Sequence, residues 1–119
     1  MLWVRVGAIL MFAAVGLGAF GAHALRQRLS PEMLAIFETG VRYHVYHALG
    51  LFAVAWVADE NPASWANAAG WAFTVGIVVF SGSLYVLSIT GVRWLGAVTP
   101  LGGVAFLAGW ILLFLAAAR

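Results

Sequence analysis

Residues 2–25 read Leu-Trp-Val-Arg-Val-Gly-Ala-Ile-Leu-Met-Phe-Ala-Ala-Val-Gly-Leu-Gly-Ala-Phe-Gly-Ala-His-Ala-Leu, with Arg5 as the only charge. A helix needs about 20 apolar residues to cross a bilayer, and this run supplies them. It also carries the small-x-small pattern Ala22-His23-Ala24 of a leader cleavage site. The apolar stretch is longer than a signal-peptide core, so residues 3–25 are expected to form a first transmembrane helix.

The rest of the chain has the same character. Of 119 residues 65% are hydrophobic and 8% charged, where a soluble domain carries roughly a quarter charged. Mean hydropathy is +1.03. A globule this small is mostly surface and could not hide that much apolar area from water. Disorder is excluded because it needs low hydrophobicity and high charge. There is no cysteine, which removes disulfides, thiolate catalysis and iron–sulfur ligation. All six basic residues are Arg, scattered at positions 5, 26, 28, 42, 93 and 119. They read as topology signals rather than a nucleic-acid footprint.

Working outward, Arg26 to Arg28 makes a basic turn, and Ser30-Pro31-Glu32 is a helix start with a capping hydroxyl, Pro in the first turn and an acid near the positive end of the dipole. The helix it opens reaches about Ala58, too long for the hydrocarbon core alone. The reading is an interfacial amphipathic N-terminal extension at 31–42, with Gly40 as the place where a break would fall, followed by a second span at 43–58. Asp59-Glu60-Asn61-Pro62 turns the chain; spans at 66–89 and 96–117 follow, separated by Thr90-Gly91-Val92-Arg93-Trp94. The expected fold is an all-α integral membrane protein, one four-helix transmembrane domain. Loops 26–30 and 90–95 carry the basic residues and are expected in the cytoplasm, with both termini outside.

The segment Phe37 to His47 carries most of the polar chemistry. On a helical wheel Glu38, Arg42, Tyr46, Thr39, Tyr43 and His47 cover an arc of about 180°, with His44 outside it. Glu38 and Arg42 stand i,i+4 in the favourable order. A polar site of Glu38, Arg42, Tyr43, Tyr46 and His47, with His23 nearby, would suit proton or ion relay. The plainer reading is a structural clamp with interfacial aromatics. His44 and His47, joined by His23, are the candidates for a metal, but no carboxylate matches their spacing, and no metal or cofactor is expected. On the third span Thr74, Ser81, Tyr85 and Ser88 make a hydroxyl stripe that can glue helices or line a pore. Small residues Ala14, Gly18 and Ala22, and Gly96, Gly102, Gly103 and Gly109, make ridges for close helix approach. No Ser–His–acid order, phosphate loop or HExxH is present, so an enzyme is not expected.

The stretches Gly18-Ala19-Phe20-Gly21-Ala22-His23, Phe37 through Gly50, Phe80-Ser81-Gly82-Ser83-Leu84-Tyr85, and Thr99-Pro100-Leu101-Gly102-Gly103 through Gly109-Trp110 together resemble domain-of-unknown-function family 423, also called uncharacterised protein family 0382, to which a eukaryotic transmembrane group is similar. The resemblance implies a four-helix bacterial inner-membrane protein and no particular activity. The sequence-based expectation is a small transport or permeation protein acting as an oligomer in the lipid bilayer. The alternative is an accessory or assembly subunit of a larger, respiratory-type membrane complex. Its partner is then a second copy or another membrane protein, and no nucleic acid.

Overall fold

The structure, a computed structural model, describes residues 1–118; Arg119, used above as a topology signal, lies outside them. Four long helices make up the described residues. Helix α1 is Leu2–Leu25, and it widens into a π turn at the glycine-rich Gly16–Gly21. Helix α2 is Pro31–Glu60, α3 is Ala66–Thr90 with a π turn at Ile77–Ser81, and α4 is Thr99–Ala117, entered through a 3₁₀ turn at Arg93–Ala97. By length and composition α1, α3 and the Arg93–Ala117 stretch are each apolar enough to cross a membrane.

The punctuation follows from local chemistry. The Ser30 hydroxyl accepts from the Met33 amide at 3.2 Å, and Pro31 occupies the first helical position, where its missing N–H is no loss. Gly91 ends α3 with φ +75°, a left-handed turn that only glycine adopts freely, and its amide bonds the Leu87 carbonyl at 2.7 Å. Gly40 does not break α2, which is one unbroken helix of 30 residues.

Helix α2 is the centre of the bundle and packs against all three others. Its buried residues include Phe37, Gly40, His44, His47, Leu51 and Val54, spaced alternately three and four apart, the stripe of a helix with a core-facing seam. Toward the acidic Asp59–Glu60 end the core is apolar, with Trp3, Leu51, Val54, Ala69, Phe73, Ile77 and Phe106. The outer surface is also apolar: Ile9, Phe12 and Phe20 of α1, Val78 and Ile89 of α3, and Leu107, Ile111 and Phe114 of α4 are all exposed. An apolar exterior continuous over three helices suits acyl chains and not water.

Close approach of the helices rests on particular glycines. A Cβ on Gly102 would meet the Phe80 backbone amide nitrogen at 2.4 Å, so α3 and α4 touch there main chain to main chain. Gly70 receives the Trp3 ring, Gly76 the Phe106 ring and Gly109 the Phe73 ring. Among the small residues singled out from sequence, Ala14 and Ala22 are buried and Gly18 faces Val41. Gly96 and Gly103 do not take part in such contacts: their nearest neighbours would be at 3.7 and 4.0 Å, and Gly96 lies in the turn before α4.

Candidate functional site

The inward side of α2 holds a polar layer at mid-height. Trp110 on α4 donates its indole N–H to His47 Nε2 at 3.0 Å, and His47 Nδ1 lies 2.7 Å from the Tyr43 carbonyl. An indole only donates and a carbonyl only accepts, so His47 is the neutral tautomer with its proton on Nδ1. Its ring also stacks on Phe106, centroids 3.5 Å apart and planes 6° from parallel. One turn away, His44 Nδ1 and the Tyr85 hydroxyl of α3 are 2.8 Å apart. The buried His44 Nε2 atom has no hydrogen-bond partner among the described residues. The fully buried Ser81 donates to the Gly40 carbonyl at 2.7 Å, and Ser83 shares a 2.6 Å hydroxyl contact with Thr99 of α4. Each of these bonds ties two helices together, or α2 to itself, in a place where an unpaired polar group would have no water.

The hydroxyl stripe of α3 is absorbed in this network. Ser81 and Tyr85 reach α2, whereas Thr74 and Ser88 bond back to the Gly70 and Tyr85 carbonyls of their own helix. Phe106, Trp110 and the Gly40 carbonyl complete the layer and could not be assigned from sequence, because each partner arrives from a different helix.

The polar arc of α2 is divided by the fold. His47 and His44 point inward; Glu38, Arg42 and Tyr46 point outward, and Tyr43 lies between. Neither Glu38 nor Arg42 has an ion-pair partner among the described residues. The ion pair at the basic end is instead Arg93 with Glu32 at 3.3 Å, both well exposed, a contact worth little by itself. It does bring the two basic loops to the same end of the bundle. His23 lies exposed in the last turn of α1 and does not approach the other two histidines closely enough to share an ion: among the described residues no group of three or more His, Asp or Glu could hold a metal.

The height of the outward charges follows from the packing of α1. Gly18 faces Val41 and Gly21 faces Phe37, and both glycines belong to the apolar run 2–25. At 1.5 Å per residue, Arg42 is about 15 Å along α2 from Glu32 and about 26 Å from Asp59. Arg42 is therefore level with the apolar interior of α1, and Glu38 is one turn nearer the basic end. An Arg facing lipid at the centre of a membrane helix costs about 2.5–3.5 kcal/mol on insertion scales.

Comparison with known proteins gives the chain's family. Residues 17–103 match the family model described as "Protein of unknown function (DUF423)". The chain is 52% identical over 118 residues to the UPF0382 membrane protein YwdK of Bacillus subtilis, covering 98% of this chain and 96% of that one. It is 43% identical over 114 residues to a UPF0382 membrane protein of Staphylococcus haemolyticus, covering 96% and 93%. No solved structure matches. Family model and full-length relatives coincide on one conclusion: this chain is a member of the DUF423 family, whose relatives named here are UPF0382 membrane proteins.

Proposed function

We propose that the chain is a four-span protein of the bacterial cytoplasmic membrane that acts as an oligomer and provides a small permeation pathway between copies, bordered by the outer polar face of α2. The observation that carries this is the outward stripe of Glu38, Arg42 and Tyr46, which runs from near the basic end to mid-height of an otherwise apolar exterior. Such groups are tolerated in a membrane where they face protein or water rather than lipid. The reading counts α2 as a span in spite of its lower apolarity, because it lies at the centre of the bundle, where three other helices shield much of its surface. It places the interfacial part of α2 in the first turns after Pro31 rather than through residue 42, since Phe37 and Gly40 are packed inside the bundle.

A pathway between copies fits better than one through a single chain. Phe106, Phe73 and the His47 ring fill the middle of the bundle. Three surface clefts open elsewhere, two near the acidic end around Glu60 and Asp59 and one along the outer side of α1, and none is lined by His44, His47 or Tyr85. The basic loops 26–30 and 90–95 are assigned to the cytoplasm and both termini to the outside by their Arg content.

In proteoliposomes the protein is expected to pass protons, small cations or small neutral solutes. Glu38→Gln is expected to lower that flux severalfold while leaving the helical content unchanged. Vesicles with folded protein and no flux of any of the three classes would refute the permeation reading. In the alternative, an accessory subunit, the same stripe seats a foreign helix, and gentle solubilisation recovers that foreign chain in fixed stoichiometry.

A further inference from the structure

We propose that two copies of this chain pack α2 against α2 side by side, about a two-fold axis along the membrane normal, with Glu38 of each copy pairing with Arg42 of the other. The inference rests on the reading of α2 as a membrane span, and it names the partner that covers the stripe.

On the outer side of α2, Ala35, Glu38, Arg42, Tyr46 and Leu49 are all exposed. They fall within about 80° of one another on the helix, a strip as wide as one neighbouring helix covers. The opposite side of α2 is occupied by α1, α3 and α4, so the strip has no helix of its own chain to meet. It carries one anion and one cation, a single turn apart, each without an ion-pair partner among the described residues.

A foreign helix would have to bring an anion and a cation at these two heights. A second copy has both by construction. With the two α2 helices parallel, Glu38 of one copy is displaced from Arg42 of the other by about 6 Å along the axis. Packed helix axes stand about 8–10 Å apart, so the long Arg side chain bridges the offset. The contact is isologous, and its four charges sum to zero. An antiparallel pair is ruled out by topology: a two-fold axis in the membrane plane would invert one copy, and the basic loops give every copy the same orientation. The arrangement also gives the Tyr46 hydroxyl, at the same strip, a polar neighbourhood in place of acyl chains.

The chain has no cysteine, so any introduced thiol is the only one. Ala35→Cys and Leu49→Cys lie on the strip; Phe12→Cys on α1 and Leu107→Cys on α4 lie on other exposed faces. Under copper-phenanthroline oxidation in native membranes, the two strip variants are expected to form disulfide-linked dimers. The two controls are expected to give about tenfold less, because a disulfide needs Cα atoms within about 7 Å. In the Leu49→Cys background, Glu38→Arg alone or Arg42→Glu alone should remove the dimer. The combined reversal, Glu38→Arg with Arg42→Glu, should bring it back, which separates loss of pairing from loss of folding. Equal cross-linking at all four positions, cross-linking only to a foreign chain, or dimers indifferent to the single reversals would each overturn the proposal. A cross-linked dimer that passes no solute would refute permeation and leave the interface standing; flux from a protein whose strip thiols do not cross-link would overturn the interface alone.

Discussion

Gly102→Ala is expected to force α3 and α4 apart and to destabilise the protein by about 3 kcal/mol or more, at or beyond the upper end of ordinary overpacking. The reason is the identity of the atoms in the way. A Cβ at this position would lie 2.4 Å from the Phe80 nitrogen and 2.7 Å from its Cα. Both are main-chain atoms of α3, and no rotamer change moves them. The whole helix must shift, and with it the Ser83–Thr99 hydroxyl contact that joins the same two helices. Gly103→Ala, the next residue, meets nothing nearer than 4.0 Å, and Gly82→Ala meets nothing within 4 Å. Those two should be neutral, or more stable by up to about 1 kcal/mol from the lower chain entropy of alanine. Denaturant titration in mild detergent, followed by far-ultraviolet circular dichroism, compares the three directly. A Gly102→Ala protein as stable as Gly103→Ala would mean that the helices do not approach as described.

His47→Ala should be nearly as damaging. The substitution removes a ring that is 95% buried and stacked on Phe106, and ring-to-alanine changes in cores cost about 3–5 kcal/mol. It also strands the Trp110 N–H, whose acceptor is His47 Nε2. Trp110→Phe leaves His47 Nε2 without its donor but keeps an aromatic ring against Phe73, and should cost less, about 1–3 kcal/mol. The same titration measures both, and tryptophan fluorescence reports the changed surroundings of Trp110 in the His47→Ala protein. If His47→Ala proved as mild as Trp110→Phe, the histidine would not be holding α2 to α4.

Much of the architecture is written in runs and punctuation. The apolar stretch from Leu2 to Leu25, the cap at Ser30-Pro31 and the connection that begins at Thr90-Gly91 each act locally, so their reading from sequence carries over to the helices observed. The faces of α2 were harder to assign. Polarity alone groups His47 with Glu38 and Arg42, yet the core seam follows Phe37, Gly40, His44, His47, Leu51 and Val54. The alternating three-four spacing was present in the sequence, but two histidines on it read as exceptions until their partners are known. Those partners, Tyr85 and Trp110, come from α3 and α4, more than 40 residues away in the chain. Glycine spacing misleads for a related reason. Gly96 and Gly103 repeat every seven residues like a packing ridge, but which glycine meets a neighbour's backbone depends on how α3 lies against α4.

Whether α2 crosses the membrane decides the surroundings of its charged strip, and single-thiol labelling at its two ends tests this most directly. Gln27→Cys lies just before α2, in the exposed basic loop, and Asn61→Cys lies just after its last turn, also exposed. An impermeant maleimide applied to intact protoplasts should label Asn61→Cys and should reach Gln27→Cys only after lysis. Labelling of both thiols from the same side would contradict the account: α2 would then not cross, and Glu38 and Arg42 would have no need of a partner.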